Sequence, residues 1–159
     1  MRKINWIVVH KSETPNGRKV TREEIDKWHR ENGWKRLEGF KKNFNPKLTS
    51  IGYQYVIYID GSVLTGRSEE EIPVAVRKHN IDSINICLIG NGRYTKAQWE
   101  SLKKLVKELE DKYPNAVTVG HYSFDTAKEQ GKTCPSFDVL KWVFSGFTPE
   151  KENIYTSEE

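Results

Sequence analysis

Residues Gly120 to Asp138 hold an imidazole and a thiol in a polar setting: Gly120-His121-Tyr122 opens the stretch, and Gly131-Lys132-Thr133-Cys134-Pro135-Ser136-Phe137-Asp138 closes it. His121 and Cys134 stand thirteen residues apart. Imidazole nitrogen and thiolate sulfur are both zinc ligands, and a catalytic zinc typically takes three protein ligands with a fourth position left for water. A third ligand would then have to come from elsewhere in the chain. Taken alone, the pair reads more simply as a surface histidine and a small buried hydrophobe. The candidate third ligand is His10, which follows the apolar run Trp6-Ile7-Val8-Val9. His29, mid-helix beside Trp28, is expected in a capping or surface role, and His79 fits a ligand set less well.

The composition narrows what can surround such a site. A chain of 159 residues is expected to form one domain. Its hydrophobic content of 36%, with five Trp and seven Tyr, belongs to a folded chain. Lys and Arg number 26 against 22 Asp and Glu, a net charge of +4 with a pI near 9.0. That excess suits an anionic polymer, but no basic helix face carries aromatics at RNA-binding spacing, so nucleic acid is not an expected partner. Two cysteines leave a Cys87–Cys134 disulfide open, although Cys87 sits in the apolar run Ile84-Asn85-Ile86-Cys87-Leu88-Ile89 and reads as core. The run from Trp6 to Val9 is too short for a signal-peptide core of roughly 7 to 15 residues, and no run reaches membrane-spanning length. The expectation is a chain made in the cytoplasm without a signal peptide, with no membrane partner, acting as a monomer.

Periodicity supplies the elements that must carry these residues. Ile4 to Val9 reads as a buried strand with His10 at its exit, followed by a turn-rich loop. Thr21 with Glu24 is a capping-box pair, so a helix is predicted from there to Asn32-Gly33, with Ile25, Trp28 and His29 on one face. Residues 35–51 lack a clean period, although Leu37, Phe40 and Phe44 could line a short helix. Gly52 to Ile59 is strand-like, with Tyr53 and Tyr55 on one face and Gln54 on the other, and Asp60-Gly61 turns it into Ser62–Thr65. Ser83 to Ile89 is a buried strand. Thr95 with Gln98 opens a second helix, whose inward stripe is Trp99, Leu102, Leu105, Val106 and Leu109. Ala116 to Val119 is a last strand with His121 just past its end. Phe137 to Phe144 closes the chain as a helix with Val139, Leu140 and Val143 inward, and the tail from Ser145 is expected to be loose. The fold class is α/β: a central mixed β-sheet flanked by helices, with His10 and His121 just beyond strand ends, where such sheets build sites.

The ordered motifs resemble a family. Ile7-Val8-Val9-His10-Lys11-Ser12-Glu13-Thr14 is similar to the hydrophobic-His-x-Ser-x-Thr opening of the zinc-dependent N-acetylmuramoyl-L-alanine amidases of the bacteriophage-lysozyme and peptidoglycan-recognition-protein type. Four further blocks follow in order: Trp28-His29 with Gly33-Trp34; Ile51-Gly52-Tyr53 through Asp60-Gly61 to Gly66-Arg67; Asn80 to Gly90; and Gly120-His121 through Lys132-x-Cys134-Pro135-x-Phe137. The likeness spans about residues 4–144, and an ordered set of blocks is far more specific than one histidine.

The resemblance implies a peptidoglycan-recognition-protein-like amidase domain over residues 1–146, with a polar tail over 147–159. It implies Zn2+ as cofactor, held by His10, His121 and Cys134. Tyr53 matches the tyrosine that contacts the zinc-bound water or the oxyanion, and Lys132 the cation two residues before the cysteine. Two neutral imidazoles and one thiolate leave such a site at a net charge of about +1, enough Lewis acidity to bring a bound water toward a pKa of about 7. The implied activity is hydrolysis of the amide joining N-acetylmuramic acid to L-alanine in peptidoglycan, as in a phage or prophage endolysin that acts on the cell wall after release. A delivered antibacterial effector would carry the same chemistry. The alternative is a non-catalytic peptidoglycan-binding module of the same fold, although such members typically lack the cysteine. The sequence departs from the family pattern at Pro73-Val74-Ala75 and Lys78, where Gly-Ala-His and a Gly are common, at Asn85 in place of Gly, and at Gln54 in place of His or Asn. His79 is the candidate to replace the missing histidine. Residues 35–51 are longer than in the lysozyme-like branch, and two readings stand equally: a segment that flanks the groove and meets the anionic polymer, or an ordinary surface loop.

Overall fold

The structure is a computed structural model that describes residues 2–124 and 133–157. Among the described residues, five strands form one sheet in the order β3-β2-β4-β1-β5. They are β1 (Trp6–Lys11), β2 (Tyr55–Ile57), β3 (Val63–Thr65), β4 (Ser83–Leu88) and β5 (Val117–Gly120). β1 pairs in parallel with β4 and β5, β4 in parallel with β2, and only the Asp60-Gly61 turn adds an antiparallel edge strand. β1 and β4 lie inside the sheet and are covered on both sides, which is why they read as continuous apolar runs.

Helices α1 (Arg22–Glu31), α2 (Glu38–Lys41), α3 (Lys96–Lys112) and α4 (Val139–Phe144) complete the layers. Both long helices start where local chemistry directs: Thr21 with Glu24 and Thr95 with Gln98 form complete capping boxes. The stripe of α3 from Trp99 to Leu109 packs on the sheet face that carries Ile7, Val9, Ile57, Ile84, Ile86 and Leu88. α1 covers the opposite face through Ile25, packed with Val56, Cys87, Ile51 and Leu48. Side chains alternate along a strand, so His10 emerges on the same face as Val8, away from α3. In the closing helix Val139 and Trp142 are the buried residues, while Leu140, expected inward, is exposed.

Three further expectations are corrected. β1 extends through Lys11, so His10 lies within the strand and not past its end. Tyr53 precedes β2 and packs with the α1-side cluster, whereas Tyr55 packs on the α3 side; strand alternation does not reach back to Tyr53. The tail is fastened, not loose, over its described residues. Ile154 bridges Tyr94, the Tyr94 N–H donates to Asn153 O at 2.9 Å, and the Tyr155 N–H donates to Tyr94 O at 2.8 Å. Its polar residues supply hydrogen bonds to a loop that would otherwise lack them.

Candidate metal centre

The exit of β1 and the segment after β5 converge. A ligand atom from each of His10, His121 and Cys134 lies within 4.8 Å of the other two. His10 and Cys134 are buried and His121 is half-buried in a short 3-10 turn, His121–Ser123. The two imidazole centroids are 4.8 Å apart. Both cysteines are free, which removes the disulfide left open by the sequence. Cys87 is fully buried in the core. The Lys11 backbone N–H donates to Cys134 Sγ at 3.1 Å, which ties the sulfur to the end of β1.

The loop bearing Cys134 is tied down on several sides. The Tyr122 N–H donates to Cys134 O at 3.0 Å, and Tyr94 Oη donates to Pro135 O at 2.7 Å. Asn153 Nδ2 donates to Ser136 O at 3.2 Å, so the docked tail helps hold the cysteine. Lys11 Nζ donates to Ser136 Oγ at 2.8 Å and to Asn91 Oδ1 at 2.9 Å. Gly120 makes the approach possible: a Cβ there would sit 2.5 Å from the Tyr122 ring.

Beside the three lies a cavity of about 220 Å³ whose walls include Glu13, Trp34, Tyr53, Val74 and Ala75. A larger cleft of about 540 Å³, lined by Leu37, Phe40, Ile72 and Ile81 among others, shares no lining residue with it and contains no histidine or cysteine. Convergent chemistry, not size, picks the smaller one. The Tyr53 ring lies 5.1 Å from that of His10. Burial, with Cys87 and Cys134 close by, pushes its phenol well above the ordinary tyrosine value, so the hydroxyl stays protonated and can donate. Lys132 lies outside the described residues.

His29, expected in a capping or surface role, is buried. Its Nδ1 accepts the Gly52 N–H at 2.8 Å, and its ring lies 4.6 Å from Trp34 and 5.3 Å from Tyr53. It therefore fixes the segment that delivers Tyr53. A Cβ on Gly52 would stand 2.0 Å from Val74 O, so only glycine fits that crossing. Burial, and secondarily the Arg67 guanidinium, lowers the His29 pKa from 6.5 to about 4, which keeps the ring neutral. The signal was present: Ile25 and His29 share one face of α1, and it is Trp28, 39% exposed, that leaves it. His79 does not replace the missing histidine. It packs against Phe124 and Trp6, with Nδ1 3.9 Å from Asp82, and stands outside the ligand group.

The chain is similar to known proteins in sequence and in fold. Residues 1–137 match the N-acetylmuramoyl-L-alanine amidase family. The endolysin of Klebsiella phage KP32 is 32% identical over 96% of this chain and 89% of its own. By fold, the chain is similar to the endolysin amidase LysCS of Clostridium intestinale URNW, with a TM-score of 0.72 at 23% identity over 94% of this chain and 86% of that one. It is also similar to PGRP-LB of Drosophila, with a TM-score of 0.65 at 20% identity over 95% and 86% of the two chains. A match that runs from residue 1 to residue 137 makes the chain a member of the N-acetylmuramoyl-L-alanine amidase family.

Proposed function

We propose that the amidase activity of this chain is zinc-dependent, with His10, His121 and Cys134 as the metal ligands, and that it is exercised on peptidoglycan in the manner of a phage endolysin. The convergence of two imidazoles and a thiol within 4.8 Å, beside a cavity, carries the reading. Two imidazole nitrogens and a thiolate sulfur form a donor set that would hold zinc. Bound there, zinc supplies Lewis acidity to water and to the scissile carbonyl at neutral pH. Tyr53 is assigned the oxyanion: its protonated hydroxyl donates to the carbonyl oxygen as charge develops. Lys132 is assigned the same role as a cation, by its place two residues before Cys134. Trp34, Val74 and Ala75 form the apolar part of the cavity wall beside Tyr53.

The direct test combines metal analysis with mass analysis of digested muropeptides. The expected result is one zinc per chain and release of L-alanine-terminated peptides. Zinc-free protein that retains full activity would end this reading, and protein that binds the wall polymer without cutting it would make the chain a binding module.

A further inference from the structure

The His10 ring is oriented by a polar chain running across the sheet. His10 Nε2 lies 2.6 Å from Asn85 Oδ1, in a contact sealed from solvent. Asn85 Nδ2 donates to Ser83 Oγ at 2.8 Å, which turns the amide oxygen toward the imidazole. Asn85 is itself clamped by Gln54: its N–H donates to Gln54 Oε1 at 2.9 Å, and the Gln54 N–H donates to Asn85 O at 3.1 Å. Gln54 Nε2 in turn donates to Glu71 O at 3.1 Å. Asn85, Gln54 and Ser83 are all fully buried, so each must find its partner within the protein.

An amide oxygen only accepts, so this contact requires a proton on His10 Nε2. A neutral imidazole protonated there carries its lone pair on Nδ1. We propose that Asn85, braced by Gln54, is a positioning residue that selects this tautomer and so directs Nδ1 of His10 to the metal. The inference rests on the zinc reading above. Asn85 and Gln54 work as one unit, each donating its backbone N–H to the other. A glycine at position 85 would offer His10 no acceptor.

The test uses the full chain with Asn85→Leu, similar in size but without an acceptor, and Asn85→Asp, which keeps one. Long-range proton–nitrogen spectra of the metal-free protein report the tautomer of each histidine ring, and competition with a chromophoric chelator reports zinc affinity. The wild type is expected to hold His10 protonated at Nε2. N85L is expected to lose that bias and to bind zinc about 10- to 100-fold more weakly, while N85D keeps the tautomer and binds no more weakly than wild type. A wild-type His10 protonated at Nδ1 overturns the proposal, as does a folded N85L with unchanged tautomer and affinity. Should N85L not fold, the wild-type spectrum and the N85D affinity decide, and loss of zinc by N85D counts against it. Wild-type protein that takes up no zinc overturns the proposed function instead, whatever its spectrum.

Discussion

Arg36 and His10 are both buried polar side chains, 4% and 2% exposed, and they are put to opposite uses. Arg36 spends every donor inside the protein. Nε and Nη2 reach the two Glu71 carboxylate oxygens at 2.9 and 2.8 Å, and Nη1 and Nη2 reach the carbonyls of Phe44, Asn45 and Leu48 at 2.7 to 2.8 Å. Residues 35–51 are thereby folded around an internal cation. Arg36 cannot meet an anionic polymer, although Lys35, Lys42 and Lys47 in the same segment are exposed. His10 spends one nitrogen on Asn85, and its ring packs against that of His121 in the cavity wall. A saturated cluster fixes shape, whereas His10 is held by Asn85 with His121 and Cys134 grouped beside a cavity, an arrangement open to chemistry.

That contrast can be broken from the site side first. Cys134→Ser is expected to reduce muropeptide release by about a thousandfold or more while the melting temperature stays within a few degrees of wild type, as mass analysis and thermal unfolding would report. Arg36→Ala should do the reverse. It leaves Glu71 as an unpaired buried charge, so a loss of about 3 to 5 kcal/mol in denaturant unfolding is expected, with the folded fraction still binding metal. A result in which either variant harms both properties equally would erase the distinction.

The third expectation concerns pH. His29 has a folded pKa of about 4 against an ordinary 6.5, so between these values the unfolded chain binds the extra proton. Its contribution is complete above pH 6.5 and is lost as pH falls toward 4, roughly 3 kcal/mol at most. Chemical denaturation across that window should show the slope, and His29→Asn, which keeps an acceptor for the Gly52 N–H, should flatten it. The smallest effect is expected at Tyr53. Tyr53→Phe keeps the ring against His10 and removes the donor, so kcat should fall about tenfold to a hundredfold with metal content unchanged.

Much of this was legible in residue order, and the reasons differ by case. Thr21 with Glu24 and Thr95 with Gln98 start their helices through contacts three residues apart, which any local reading recovers. The α3 stripe was equally plain, because its period needs no knowledge of the partner surface. The three candidate ligands came from the order of motifs, and their meeting in space agrees with that order. His29 was misplaced because its acceptor role depends on Gly52, 23 residues away. Tyr53 was put on the wrong face because the strand begins after it. The tail was misjudged because composition says nothing of the Tyr94 and Ser136 groups waiting for Asn153.

By itself the sequence determined which groups exist, where helices begin, which strands are covered on both sides, and the order of motifs that marks the family. Only the tertiary structure decided how those groups face one another. Asn85 meets His10 across 75 residues and Cys134 meets the Lys11 N–H across 123. A hydrogen bond is set by distance and direction in space, and neither is written in the spacing of residues along a chain.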